Sequence, residues 1–188
     1  MAAPSIVRDP DRLRAVRRLG LLDAPAKAGF DRLTQLAAEL LEAPIALMTL
    51  VEADRQFFVS CVGLPDELRQ ARQTPLEYSL CQHALGSSRP LVAPDARRDP
   101  VLAEVQAVTE YGIRSYAGAP LTFDHQPVGA LCVLDRQVRD WRPDQVSILQ
   151  RLADVASDEL CLHAFEGREA RQREWSGVAS LRPTRLRW

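Results

Sequence analysis

What this chain lacks narrows its class before any motif is read. Its formal net charge is −1, so charge draws it neither to nucleic acid nor to an anionic membrane. Lys27 is the only lysine, set among many arginines, a bias of composition that points to no function. No apolar run approaches a membrane span, and the opening MAAPSIVRDP has no apolar core of signal-peptide length. The expected location is therefore the cytoplasm. Cys61, Cys81, Cys132 and Cys161 follow no metal-ribbon spacing, and in a reducing compartment they are expected as free thiols. No glycine-rich phosphate loop, paired catalytic carboxylates, Ser-His-Asp order or basic patch with interleaved aromatics stands out. What remains is 188 residues, 46% hydrophobic, enough for one domain with a full core and a short surplus.

The stretch Ser115 to Asp135, SYAGAPLTFDHQPVGALCVLD, predicts a central hairpin. Its arms, Tyr116 to Phe123 and Val128 to Leu134, are apolar runs of strand length, with Asp124, His125, Gln126 and Pro127 between them as the turn. The second arm places Val128, Ala130, Cys132 and Leu134 on one face and Gly129, Leu131 and Val133 on the other. Neither face is polar, so both need a cover. Gly118 and Gly129 inside the arms predict a bulge or a close approach of backbone or ligand.

The other elements supply those covers. Asp9 as cap and Pro10 at the first helical position open a helix, and Gly20 closes it. A second helix is predicted from Ala26 to Glu42, with Phe30, Leu33, Leu36, Ala37, Leu40 and Leu41 on its buried arc. IALMTLVE and QFFVSCVG form a hairpin over 45–62. A polar loop follows to Pro75, then a short helix from Ser79 to Gly86, an edge strand PLVAP, and a short helix ended by Gly112. Pro143 starts the last helix, which runs to at least His163 and carries two apolar stripes. One stripe suits a sheet face, and the second asks for another helix, the N-terminal one or one from another subunit. The tail after Arg171 is polar and basic, and is expected to be mobile. This order predicts an α+β fold. A central antiparallel sheet of five to six strands has long terminal helices on one face, and short helices and loops of 64–113 over a pocket on the other.

EADRQFFVSCVGL, SLCQHAL, PLVAPDARRDP, GIRSYAGAPL and VGALCVLD together resemble a GAF domain, most of all the bacterial subgroup found ahead of histidine kinases and diguanylate cyclases. The resemblance runs collinearly from about Asp9 to His163. It implies a sensory domain over 9–165, a helix extension with a basic tail over 166–188, a ligand cavity under 64–113, and dimerisation through the terminal helices. It does not name the ligand. The asparagine-lysine-phenylalanine-aspartate-glutamate set of the cyclic-nucleotide-binding subgroup is not recognisable. Photoreceptor relatives attach bilin to a cysteine followed by histidine, whereas Cys81 is followed by Gln82 and then His83. No cofactor is expected. The chain ends after one long helix, so the expected output partner is a separate kinase or cyclase, unless the sequence is a piece of a longer protein.

The candidate ligand-binding residues are Ser79, Cys81, His83, Asp95, Arg114 and Tyr116. Cys81 and His83 lie two apart, which on a helix points them in opposed directions, so they cannot clasp one metal. Cys81 either lines the pocket or packs as a small hydrophobe. Ser79 is also placed to cap a helix. Arg114 suits a carboxylate or phosphate and Asp95 an amine or hydroxyl, unless the two pair with each other. Three functions follow: a small-molecule sensor, a thiol-dependent reductase of free methionine-R-sulfoxide or a similar oxidised substrate, and a ligand-free dimerisation module. GAF-fold reductases resemble this chain around Cys81, but their attacking cysteine would precede the central hairpin, and residues 110–116 hold none.

Overall fold

The computed structural model describes residues 4–179. Six strands form one antiparallel sheet in the order β3-β2-β1-β6-β5-β4. They are β1 (Ile45–Val51), β2 (Arg55–Val62), β3 (Gln73–Pro75), β4 (Leu91–Ala93), β5 (Ser115–Phe123) and β6 (Gln126–Asp135). The helices are α1 (Pro10–Arg18), α2 (Ala28–Leu40), α3 (Asp66–Ala71), α4 (Cys81–Ala84), α5 (Gln106–Thr109) and α6 (Pro143–Ala179). β5 and β6 form the central hairpin expected from the sequence, with β1 on its other side.

The hairpin turn is tighter than the sequence predicts. Asp124 and His125 alone make it, with φ of 52° and 60°. Two consecutive left-handed residues match the right-handed twist of the strands they join. Gln126 and Pro127 belong to β6 and pair with Phe123 and Thr122. A bulge follows, where the register shifts between Leu121 and Thr122. It moves Val128 onto the face of Leu131 and Val133, away from Ala130, Cys132 and Leu134. Strict alternation along the strand had placed it with the latter group.

Each face of the sheet carries its own core. Behind, Leu149, Ala153, Ala156, Leu160 and Ala164 of α6 lie against Ala117, Ala119 and Leu121 of β5. The alanines in that stripe let the helix approach the sheet closely. α2 packs beside α6 and on the sheet, and buries Phe30, Thr34, Ala37 and Ala38. Its buried arc is rotated from the predicted one, because Leu36 and Leu40 are 42% and 49% exposed. Of the second stripe of α6, Ile148 and Leu152 pack half-buried against the core, while Val155 and Leu162, and Phe165 beyond them, are each more than half exposed. α6 continues as helix beyond Arg171 to Ala179, where the sequence suggested mobile chain. The rest of the tail lies outside the described residues.

In front, α3, α4, α5 and the loops between them cover Leu47, Phe58, Ala130, Cys132 and Leu134. The predicted helix over 79–86 is a single turn. The loop before it hides the edge strand β3, whose Thr74 pairs with Gln56. A fully buried arginine, Arg12 of α1, fixes the N-terminal segment across the end of the sheet. Its guanidinium donates to the carbonyls of Val51 (2.8 Å), Ile6 (3.0 Å) and Val7 (2.5 Å).

Candidate functional site

A cavity of about 160 Å³ lies between the front of the sheet and the 64–113 segment. Its floor is Ile45 and Leu47 of β1, Phe58 of β2 and Leu134 of β6, and its roof includes Leu64, Leu68, Leu80 and Ile113. Glu67, Tyr111 and Arg136 are exposed members of the lining and so mark its opening. A wholly apolar engineered cavity of about 150 Å³ admits benzene. This one has the same capacity, with a small polar edge added.

That edge is a buried relay. Ser79 Oγ donates to Gln56 Oε1 at 2.7 Å, and Gln56 Nε2 donates to Thr74 Oγ1 at 2.9 Å. Ser79 Oγ also accepts from the Gln82 amide at 3.2 Å, which fastens the start of α4 to the sheet. Gln56 and Thr74 face the guest space, while Ser79 holds them from behind. Beside the opening, Tyr78 and Tyr111 stack with ring centroids 5.0 Å apart. Tyr78 donates to Glu110 Oε2 at 2.6 Å. That carboxylate pushes the Tyr78 phenol up to about 12, so it stays a donor across the physiological range. Arg136 Nε donates to the Tyr111 carbonyl at 3.2 Å and ties this loop to the end of β6.

The six residues singled out by sequence are not one constellation. Cys81 lines the cavity, and Ser79 reaches it through Gln56. His83 is half-buried and does not line the cavity; desolvation holds its imidazole below the ordinary value, against the pull of Asp99. Asp95 and Arg114 pair with each other in a two-bond fork, at 3.1 and 2.8 Å. Each depresses or raises the other's ionisation accordingly, Asp95 downward and Arg114 upward. Neither lines the cavity. Tyr116 is fully buried with its ring along the sheet, where a Cβ on Gly118 would lie 2.0 Å from its hydroxyl. The missing side chain at Gly118 thus makes room for a neighbour of the same strand, not for a ligand.

Sequence reasoning missed Gln56 and Thr74, because two polar residues on short strands carry no pattern of their own. It also missed the neighbour of Cys81. The Sγ of Cys132, on β6, lies 3.5 Å from that of Cys81. Among the described residues no group of three or more His, Cys, Asp or Glu is arranged to hold a metal, and no helix is long and apolar enough to cross a membrane.

A family model described as GAF domain matches residues 26–160. The chain is 36% identical over 142 residues to a cyclic di-GMP phosphodiesterase of Pseudomonas aeruginosa, a match covering 74% of this chain but 23% of that protein. The GAF domain of an Acinetobacter phosphoenolpyruvate-protein phosphotransferase superposes with a TM-score of 0.61 at 16% identity, over 86% of this chain and 99% of that one. The free methionine-R-sulfoxide reductase of Neisseria meningitidis, solved with its substrate, superposes with a TM-score of 0.59 at 14% identity, over 89% and 96%. At such identities the structural likeness is one of fold.

Proposed function

This chain belongs to the GAF domain family, and from that premise we propose that it is a cytoplasmic sensory module that binds a small, uncharged, largely apolar molecule and signals as a dimer. The observation that carries the proposal is the cavity itself, about 160 Å³ with an apolar floor and roof and one buried polar edge at Gln56 and Thr74. A charged guest would lose its hydration here without gaining a counter-ion, since Glu67 and Arg136 stand at the opening. Cys61, Cys81, Cys132 and Cys161 are free thiols, which suits a reducing compartment.

The exposed stripe of Val155, Leu162 and Phe165 on α6 is the surface proposed to meet a second copy. A guest shifts the packing there only by binding one arrangement better than another. Output would then pass to an effector of kinase or cyclase type.

Native mass spectrometry tests both halves at once. The wild-type protein should appear as a dimer that retains one small molecule per subunit. Ala107→Phe, which puts a ring into the cavity, should remain a dimer and lose the added mass. Leu162→Glu should give monomers that keep it. A wild-type monomer with no added mass would refute the proposal.

A further inference from the structure

Four free thiols are present, and two of them are in contact. Cys81 opens α4 and Cys132 stands in the middle of β6, with their sulfurs 3.5 Å apart and both side chains at most 2% exposed. We propose that Cys81 and Cys132 are a disulfide-forming pair, oxidised by hydrogen peroxide or a similarly small hydroperoxide that enters through the cavity. The proposal goes beyond the binding reading and requires only that the cavity be free of a guest when the oxidant enters.

Three observations support it. Cys81 is part of the cavity lining and Cys132 is not, so a small oxidant meets Cys81 first. The Tyr116 hydroxyl lies against Cys81, fully buried, and makes no hydrogen bond of normal geometry. It is a donor without an acceptor until the sulfur beside it carries charge. Finally, the pair divides its acidity. The hydrogen bond with Cys132 holds the Cys81 thiol below its ordinary value against the opposing cost of burial, whereas burial pushes Cys132 up. Thiolate character falls on the sulfur that faces the cavity.

The Cys81 thiolate attacks one peroxide oxygen; an S–O bond forms, the O–O bond breaks, and the departing hydroxide takes up the thiol's former proton as water. The Cys132 sulfur then attacks the resulting sulfenic acid; the S–S bond forms, the S–O bond breaks, and hydroxide leaves with the Cys132 proton as a second water. Two thiols lose two hydrogens and one peroxide is reduced to two waters. The sulfurs must close from 3.5 Å to about 2 Å. β6 is fixed between β1 and β5, so α4 has to move, and with it the Cys81 wall of the cavity.

Treatment of the full chain with a slight excess of hydrogen peroxide, followed by alkylation in denaturant and peptide mass mapping, tests this. A Cys81–Cys132 linked peptide lighter by two hydrogens should appear and vanish on addition of dithiothreitol. Cys132→Ala should instead leave Cys81 as a sulfenic acid trapped by dimedone. In Cys81→Ala, Cys132 should oxidise at least ~tenfold more slowly than in the wild type, having lost its route and its partner. Exposed Cys161 should oxidise without linking to either. The pairing is wrong if, once Cys161 is oxidised, wild-type Cys81 and Cys132 both still alkylate, or if Cys81 is oxidised with no linked peptide. Should either variant fail to fold, the wild-type map decides alone.

Discussion

Gly129→Ala should destabilise the protein by about 4 kcal/mol, or prevent folding altogether, for the sake of one methyl group. Gly129 pairs with Leu50 across the contact of β1 and β6, both interior strands. A Cβ built there lies 1.8 Å from the Thr49 carbonyl oxygen and 2.8 Å from its carbon. Those atoms are backbone, so no side-chain rotation relieves the overlap. The strands would have to separate, and the ladder that holds the two cores together would stretch. Gly86→Ala is the control: a Cβ there meets nothing within 4 Å, and its cost should stay within about 0.5 kcal/mol. Urea unfolding of the two variants beside the wild type measures the contrast, and equal midpoints would contradict it.

Arg12→Met should cost about 3 kcal/mol although it keeps the apolar stem. The loss is that of the guanidinium, which supplies donors to Ile6, Val7 and Val51 and a longer one to Pro127 at 3.5 Å. Without it the carbonyls of Val7, Val51 and Pro127 lose that donor, at about 1 kcal/mol each, while the Ile6 carbonyl keeps the Asp9 amide. Burial pulls the Arg12 ionisation down, and the carboxylates of Asp9 and Glu52 partly restore it. Arg12→Lys retains the charge but cannot fork to several carbonyls, so it should recover only part of the loss. Because residues 5–8 hang on this side chain, proteolysis should nick Arg12→Met near them before the wild type. Unfolding midpoints, with the cut site mapped by mass, check both claims; a midpoint for Arg12→Met equal to the wild type's would remove Arg12 from the fold's supports.

Arg12 also shows where sequence reading stops. Leu13, Val16 and Leu19 mark an apolar edge along α1, but nothing in the pattern says that the arginine just before them is wholly enclosed. Its burial depends on carbonyls more than a hundred residues apart in part. The features that were legible are those with local causes: Asp9 capping and Pro10 starting α1, Pro143 starting α6, the two-faced central hairpin, and β4 at an edge between prolines. The rotation of α2 was not, because Leu36 and Leu40 read as core by composition and lie outward in this chain. Val128 changes face through a bulge that alternation cannot foresee.

At the site, the region was legible and its membership was not. The irregular cover over 64–113 could be expected from short, proline-interrupted elements, and a cavity does lie beneath it. Which side chains meet there depends on register. Thr74 reaches Gln56 because β3 pairs with β2, and Cys132 meets Cys81 because α4 crosses β6. For Asp95 and Arg114 the residue types allowed either a ligand or each other, and the structure pairs them with each other.

A sensor of this kind needs its cavity, and xenon tests for that space most directly, since apolar cavities of this size take up the gas. A crystal of the wild-type protein pressurised with xenon should show density enclosed by Leu47, Phe58, Leu80 and Ile113, and an Ala107→Phe crystal should show none there. Xenon absent from that space in the wild type, with the 64–113 segment packed down onto the sheet, would contradict the account.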